Sequence, residues 1–318
     1  MNADPNNAMR RESIDDAICG VVLAGGSGTR LRPLTRAINK HLLPVYNKPM
    51  IYYPLSTLML AGIRDIVVVT NPEAVADFQA LLGDGSTWGI RISYRVQESP
   101  RGIADGVGVA ASFVGDRRFA CVLGDNIFYG QGLVPALRAA AVDADAKIFS
   151  YEVLHPSRYG IVHFDPAGRP LELEEKPDQP RSTHAITGLY FLPAEATAWA
   201  ENLQPSRRGE LEIVDLLRQF LQRKRLQVHR FSRGMTWYDA GTHESLLESS
   251  QMIAATERRL GLPVGCPAEI AWRAGWIGRD DLLVLAGRTG GTYGKMLVQL
   301  ADLAGPRSAA DPENGVVE

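Results

Sequence analysis

The chain has 318 residues, of which 45% are hydrophobic and 22% are charged, a composition typical of a globular protein with one large domain or a core and an appendage. Its formal net charge is −2, and no run approaches the roughly 18 apolar residues of a membrane span, so neither nucleic acid nor a membrane is an expected partner. The three cysteines are odd in number and far apart, which argues against a disulfide framework and favours a reduced, cytoplasmic protein.

The chain begins with polar residues of mixed charge, and residues 1–17 are expected to be a disordered extension without the apolar core of a secretory signal. Short apolar or β-branched runs then alternate with helical patterns. The predicted strands are Ile18–Leu23, Asp65–Thr70, Ile90–Val96 and Phe119–Leu123, and the predicted helices cover 48–62, 72–82, 102–114 and 131–141. This alternation predicts an α/β fold with a doubly wound, mostly parallel sheet and functional loops at the carboxyl ends of the strands.

The second half of the chain is richer in strand patterns, which predict an extension of the sheet that covers one side of the pocket. The predicted strands are Ala146–Leu154, Gly160–Phe164, Leu171–Glu174, Ala185–Leu192 and Leu226–Phe231. From Thr242 the pattern turns helical, with an amphipathic helix over 242–260 and shorter helices after Pro267 and near the end. We therefore expect a core over 18–241 with a mixed sheet, a helical C-terminal region over 242–304 and a disordered tail over 305–318.

The first predicted strand runs directly into a glycine turn, Gly25-Gly26-Ser27-Gly28-Thr29-Arg30. Glycines at positive φ bring backbone N–H groups close to an anion, and Arg30 adds a planar fork of donors suited to phosphate oxygens. The turn lacks the Gly-Lys-Ser/Thr ending of a Walker loop, and Leu31 stands where a dinucleotide fingerprint has its third glycine. On its own the pattern leaves open a tight connection or a phosphate site of another kind.

Two carboxylates and two lysines are candidates for the chemistry of this site. Asp125 follows the strand Phe119–Leu123, and Asp239 also follows a short apolar stretch and precedes a glycine. Two carboxylates at strand ends suit Mg²⁺, although each would also cap the following turn well. Lys40 and Lys176 lie near prolines and apolar residues, where the alternative is an ordinary solvated charge.

Two dipeptides at strand edges, Tyr159-Gly160 and Thr187-Gly188, offer backbone amides of the kind that contact a sugar hydroxyl. The alternative for both is plain turn or bulge geometry.

Together these segments resemble the bacterial sugar-1-phosphate nucleotidylyltransferases, and among them the glucose-1-phosphate thymidylyltransferases, over roughly residues 19–304. The matching stretches are 23–31, 42–44, 48–63, 123–130, 158–160, 173–177, 187–191, 208–213 and 266–270. The resemblance implies that a nucleotidyl group passes from dTTP to glucose-1-phosphate by Mg²⁺-assisted in-line attack at the α-phosphate. The products would be dTDP-glucose and pyrophosphate, and the protein would be a cytoplasmic homotetramer.

The resemblance also implies a role for each matched residue. The nucleotide would be bound by Leu23, Gly25, Gly26, Gly28, Thr29, Arg30, Gln97 and Gly102, of which the last two read the base. The sugar phosphate would be bound by Tyr159, Gly160, Glu175, Lys176, Thr187 and Trp237. The catalytic residues would be Arg30, Lys40, Asp125 and Lys176, with Asp125 and Asp239 as the Mg²⁺ ligands.

Several positions depart from the family pattern around the nucleotide and the metal. His41 stands in place of a glutamine, Arg101 in place of an aspartate and Asp105 in place of a glutamine, and the motif at 237–241 also differs. Asp105 would bring a negative charge near a triphosphate, and Arg101 is the cation that would compensate it. The departures leave open neutral drift, UTP or a different sugar-1-phosphate as substrate, and a sugar-nucleotide-binding regulatory homologue with weakened turnover.

Overall fold

The computed structural model describes residues 17–302, so the predicted N-terminal extension, apart from Ala17, and the predicted tail at 305–318 lie outside the described residues. The strands are β1 (Ile18–Ala24), β2 (Pro44–Val45), β3 (Lys48–Pro49), β4 (Asp65–Thr70), β5 (Arg91–Val96), β6 (Arg118–Leu123), β7 (Asn126–Gly130), β8 (Ala146–Glu152), β9 (Gly160–Phe164), β10 (Pro170–Glu175), β11 (His184–Leu192), β12 (Leu226–Arg230) and β13 (Met235–Asp239). The α-helices are α1 (Tyr52–Leu60), α2 (Val75–Leu82), α3 (Ile103–Val109), α4 (Ala111–Val114), α5 (Leu133–Val142), α6 (Glu195–Glu201), α7 (Ile213–Gln222), α8 (His243–Leu260), α9 (Pro267–Arg273), α10 (Arg279–Thr289) and α11 (Gly291–Asp302).

Nine of the strands form one mixed sheet in the order β10-β9-β11-β6-β1-β4-β5, with β8 paired to β11 and β12 paired to β8. The four strands β6, β1, β4 and β5 are mutually parallel, whereas β11 runs antiparallel to β6. The predicted α/β class, with a mostly parallel core and a mixed extension from the second half of the chain, is confirmed.

The central strand β1 is buried on both faces, which explains its nearly continuous apolar sequence. Val22 belongs to a core cluster that includes Leu55 and Leu58 of α1, whereas its neighbour Val21 belongs to a second cluster that includes Leu216 and Phe220 of α7. Because adjacent strand residues face opposite sides, helices cover the two faces of the sheet separately. This is the doubly wound arrangement that the alternating pattern predicts.

The strand order determines at which edge of the sheet a binding site is expected. From β1 the chain passes outward to β4 and β5 and then crosses back to form β6 on the other side of β1, so the strand order reverses beside β1. Such a switch point opens a crevice at the carboxyl ends of the strands. The glycine turn follows β1, and Asp125 follows β6, so both lie at this crevice.

Several predicted elements have different bounds in the structure. The helix predicted over 48–62 is confined to α1, because Lys48–Pro49 pairs instead with Pro44–Val45 in a small antiparallel ribbon. The helix predicted over 102–114 divides into α3 and α4 at Ala110. Six elements, β2, β3, β7, β13, α6 and α7, were not predicted.

The helices α8 to α11 occupy the region predicted to be helical. Thr242 caps α8, since its Oγ1 accepts a hydrogen bond from the Ser245 backbone N–H at 3.2 Å. Trp272 and Leu282 of the later helices belong to the same core cluster as Val22 of β1. The domain boundary after residue 241 stays a prediction. Between residues 17 and 302, the protein has no helix with the length and apolarity required to cross a membrane.

Candidate active site

A cavity of about 520 Å³ opens at the carboxyl ends of β1 and β6. It brings together all but one of the predicted site residues, namely Leu23, Gly25, Gly26, Gly28, Thr29, Arg30, Lys40, Gln97, Gly102, Asp125, Tyr159, Gly160, Glu175, Lys176, Trp237 and Asp239. Segments that are distant in the sequence therefore form one site.

Thr187 is the exception, since it does not line this cavity, and its contact with the sugar phosphate stays a prediction. Its hydroxyl donates to the Phe149 carbonyl at 3.1 Å, and the residue is fully buried. Its neighbours Ile186 and Gly188 line the cavity, and because side chains alternate along a strand, Thr187 faces the other side of β11.

The glycine turn is shaped by Gly28, whose φ of 60° lies in the left-handed region that glycine tolerates best. A single 3₁₀ turn over Thr29–Leu31 follows and carries Arg30. The Thr35 hydroxyl donates a hydrogen bond to the Gly28 carbonyl at 2.7 Å, which stabilises the turn. The Arg30 side chain is 55% exposed, and its Nη1 lies 3.8 Å from Oδ2 of Asp239, so a cation faces the second carboxylate across the cavity mouth.

Lys40 Nζ contacts Oδ2 of Asp125 directly, and the two side chains, which line the cavity, are only 13% and 7% exposed. Asn39 caps the 3₁₀ turn Lys40–Leu42 by accepting from the His41 backbone N–H at 2.9 Å, and its Nδ2 donates to the Ala24 carbonyl at 3.1 Å. These bonds tie the lysine turn to the end of β1. Lys40 is therefore a largely desolvated and positioned charge, which argues against the alternative of a solvated surface lysine.

The two predicted metal ligands are brought together by an antiparallel ribbon of β7 and β13. Asp239 pairs with Asn126, the residue after Asp125, and the Ala240 N–H donates to the Asp125 carbonyl at 2.9 Å. Asn126 secures the ribbon, since its Oδ1 accepts from Trp237 Nε1 at 2.6 Å. Its Nδ2 donates to Oδ1 of Asp125 at 3.0 Å, which orients the carboxylate.

The two carboxylates have opposite pKa shifts. Burial alone would raise the pKa of Asp125, but the Lys40 ammonium and the hydrogen bonds to the carboxylate outweigh it and hold that pKa below its usual value. Burial, and then the negative charge of Asp125, raise the pKa of Asp239. Two buried carboxylates that repel each other form a donor set that fits a hard divalent cation such as Mg²⁺.

His41, which replaces a glutamine of the family motif, is fully buried beside these groups. Burial, and then the Lys40 charge, lower the pKa of His41 to about 3. Its Nδ1 lies 2.8 Å from Oδ1 of Asn39. His41 is therefore neutral near pH 7 and adds no charge to the site.

The opposite wall of the cavity carries an acid between two cations. Oε1 of Glu175 lies 3.5 Å from Lys176 Nζ and 3.3 Å from Nη1 of Arg208. Burial raises the pKa of Glu175. The rings of Tyr159 and Trp237 pack beside this acid with centroids 5.2 Å apart. A carboxylate, two cations and aromatic faces suit a ligand with both hydroxyl and phosphate groups.

The third wall is built around Gln97, which follows β5. Its Nε2 donates to Oδ2 of Asp105 at 2.8 Å, and Oδ1 of Asp105 accepts from Nη2 of Arg101 at 2.6 Å. The compensation of Asp105 by Arg101 that the sequence suggests is thus present as an ion pair. Backbone bonds from Leu211 N–H to the Arg101 carbonyl at 2.7 Å and from Ala104 N–H to the Leu211 carbonyl at 3.1 Å hold this segment in place.

Sequence reasoning assigned no role to several polar residues that line the cavity, among them Asn126, Arg158 and Arg208. Arg208 stands beside Gly209 in one of the matched stretches, so a signal for it is present in the sequence. Asn126 and Arg158 also lie in matched stretches, but the role of Asn126 follows only from the pairing of β7 with β13.

A doubly wound sheet with a glycine turn, two carboxylates and several cations at its switch point defines an α/β protein that binds phosphorylated nucleotides. The family model described as nucleotidyl transferase matches residues 19–256. The chain is 50% identical over 284 residues to a glucose-1-phosphate thymidylyltransferase of Xanthomonas campestris, covering 89% of this chain and 96% of that protein. It is also 50% identical over 283 residues to the enzyme of that name from Neisseria meningitidis, covering 88% and 98%.

A solved structure of a Bacillus anthracis protein, assigned as a glucose-1-phosphate thymidylyltransferase and in complex with sucrose, superposes with a TM-score of 0.69. The two chains are 38% identical, and the match covers 74% of this chain and 95% of the other. The chain belongs to the nucleotidyl transferase family and, within it, to the group of glucose-1-phosphate thymidylyltransferases.

Proposed function

We propose that this protein transfers a thymidylyl group from dTTP to glucose-1-phosphate, giving dTDP-glucose and pyrophosphate. The observation that carries the proposal is the single cavity that joins the glycine turn, the Asp125–Asp239 pair and the Glu175–Lys176 wall. The first segment suits a triphosphate, the second a divalent cation and the third a sugar phosphate. The substrates named for the relatives at 50% identity agree with this division.

The chemistry is one in-line displacement. An oxygen of the sugar phosphate forms a bond to the α-phosphorus, while the bond from that phosphorus to the bridging oxygen of the β-phosphate breaks. Pyrophosphate leaves with the electron pair of the broken bond. Such a transfer needs positioning and charge neutralisation more than covalent help from the protein.

The main obstacle to the reaction is the electrostatic repulsion between two anionic substrates, and the cations of the protein reduce it. Arg30 and Lys40 flank the glycine turn, and Lys176 lies on the sugar-phosphate wall. Together they bring positive charge to both reacting phosphates, so that the nucleophilic oxygen approaches the α-phosphorus to within about 3–3.5 Å. Glu175 accepts hydrogen bonds from sugar hydroxyls, with Tyr159, Gly160 and Trp237 beside it. Gln97 and Gly102 contact the base.

Asp125 and Asp239 are the residues that would hold Mg²⁺. When bound there, the ion supplies further neutralisation of phosphate oxygens. Lys40 keeps Asp125 ionised in the absence of substrate, and Asn126 orients the same carboxylate. As Mg²⁺ ligands, the two aspartates take part in the reaction. If each of them only capped a turn, they would not.

The proposal also covers the cellular location and the oligomeric state of the protein. A cytoplasmic location is supported by three free cysteines, all of them buried. A homotetramer is expected from the resemblance of the helical region, and light scattering of the purified protein tests it.

Pyrophosphate release tests the function directly. With glucose-1-phosphate and Mg²⁺, the rate is measured separately for dTTP, UTP, CTP, ATP and GTP, and the sugar nucleotide is identified by mass spectrometry. We expect the highest kcat/KM with dTTP. A preference for UTP would support the alternative substrate, and folded protein that releases no pyrophosphate with any nucleotide would leave only the regulatory homologue.

A further inference from the structure

Asp105 is a buried carboxylate that does not line the cavity but contacts a residue that does. It lies in the first turn of α3 with 7% of its surface exposed. Each of its two oxygens accepts one hydrogen bond. Oδ1 accepts from Nη2 of Arg101 at 2.6 Å, and Oδ2 accepts from Nε2 of Gln97 at 2.8 Å. Arg101 is 68% exposed, so the pair reaches from solvent to the inner wall of the site.

These bonds fix which end of the Gln97 amide meets a ligand. Nε2 donates both to Asp105 and to the Gly102 carbonyl, the latter at 3.3 Å. An ionised carboxylate and a backbone carbonyl only accept hydrogen bonds, so the opposite orientation of the amide would place three acceptors together. The remaining group, Oε1, lies so close to Gly25 that a β-carbon on that glycine would be 2.4 Å from it. Gln97 and Gly25 both line the cavity.

We propose that Asp105, anchored by Arg101, is a positioning residue that makes Gln97 present only an acceptor to the nucleobase. This inference rests on the proposed function, in which Gln97 reads the base. An acceptor pairs with a base that carries a ring N–H, as thymine and uracil do at N3. Cytosine has an unprotonated acceptor nitrogen at the same position, so it would meet an unpaired oxygen and lose affinity.

This inference gives a structural reason for the two residues that depart from the family pattern here, Arg101 and Asp105. A glutamine at 105 has both a donor and an acceptor, and its contact with Gln97 is compatible with either amide orientation. Asp105 has only acceptors, and Arg101 compensates the charge that it introduces. Asp105 therefore determines the specificity for the imide edge of the base, and Arg101 compensates its charge.

The test compares dUTP with dCTP, which differ only at the edge that Gln97 would read. In Asp105→Asn, Arg101 holds the side-chain oxygen and leaves the NH₂ group toward Gln97, which favours the reversed amide. We expect the ratio of kcat/KM for dUTP over dCTP to fall about tenfold, the factor of one hydrogen bond. The loss for dUTP should lie mainly in KM, because the base is remote from the reacting phosphorus.

Two further variants separate positioning from packing. Asp105→Glu keeps an acceptor-only carboxylate but adds a methylene to a buried site, whereas Asp105→Asn keeps the volume. Positioning predicts that Asp105→Glu retains more of the dUTP preference, and a merely structural role predicts the reverse order. Arg101→Gln keeps the contact of Asp105 with Gln97 and should keep most of the preference.

The outcomes also separate this inference from the proposed function. If the wild-type protein turns over neither dTTP nor dUTP, the proposed function fails. If it turns over dUTP but Asp105→Asn is folded and keeps the wild-type ratio, only the role of Asp105 is overturned. A wild-type protein without preference for dUTP over dCTP overturns it as well.

Discussion

At the scale of single residues, Asp125 is the side chain on which the proposed reaction depends most. It is 5% exposed, contacts Lys40 and accepts a hydrogen bond from Asn126. Asp125→Asn preserves the size of the side chain and removes its charge, so the proposed Mg²⁺ site would lose a ligand and Lys40 its counterion. We expect kcat to fall by ~100-fold or more, as for other losses of a preorganised charge contact. Initial rates of pyrophosphate release at saturating substrates measure this effect.

The same strand offers a matched control. Asp116 lies just before β6, is exposed, and occupies the end of the strand opposite Asp125. Asp116→Asn makes the same chemical change away from the cavity and should leave kcat unchanged. Circular dichroism establishes that both variants are folded. A folded Asp125→Asn with the wild-type rate would show that the metal assignment is wrong.

At the scale of elements, the β7–β13 ribbon decides whether the two carboxylates meet. Gly130 lies at the far end of this ribbon with a φ of 137°, and a β-carbon there would lie 2.2 Å from the Gly234 carbonyl oxygen. Gly130→Ala should therefore force β13 away from β7 and displace Asp239. We expect the melting temperature to fall by ~4 °C or more and kcat to fall about tenfold to 100-fold, as small misplacements of reacting groups cause.

Gly132→Ala is the control for backbone strain. Gly132 also has a positive φ, 86°, but a β-carbon there would have no atom within 4 Å. This variant should lose only the modest stability that a strained alanine costs and should keep its activity. Equal melting temperatures and equal rates for the two variants would count against the ribbon as the element that positions Asp239.

The ribbon also shows where prediction from the sequence ends. The strands of the parallel core are predictable because β1 and β4 are almost continuous runs of apolar and β-branched residues. The positions of the turn after β1 and of Asp125 after β6 follow from that sheet. The pairing of Met235–Asp239 with Asn126–Gly130 joins segments more than a hundred residues apart, and no local pattern specifies such a register.

Other differences between prediction and structure have a visible cause. The helix α7 buries Ile213, Leu216, Leu217 and Phe220, whose spacing is the helical one, so the sequence does contain a signal for this unpredicted helix. The prediction for Thr187 comes from the family resemblance, which does not show that the alternation of β11 sends the Thr187 side chain away from the cavity that Ile186 and Gly188 line.

At the scale of the whole molecule, a buried ion pair joins the helical C-terminal region to the β2–β3 ribbon of the core. Lys48 Nζ lies 2.5 Å from Oε1 of Glu257 on α8, and the two side chains are only 1% and 8% exposed. Glu257 also accepts from Asn47 Nδ2 and from the Val264 N–H, both at 2.8 Å. Since α8 begins shortly after the predicted metal ligand Asp239 ends β13, the same helix connects this ion pair to the active site.

We expect Lys48→Met to lower the free energy of unfolding by about 3–5 kcal/mol, because Glu257 would be left as an uncompensated buried charge. Adding Glu257→Gln should recover ~1–3 kcal/mol of that loss, since glutamine still accepts from Val264 without a charge. Urea unfolding of the wild type, both single variants and the double variant gives the coupling between the two positions. If the losses simply add, the pair does not hold the helical region to the core. If they couple as expected while the transition stays single, α8 and the α/β core unfold as one unit.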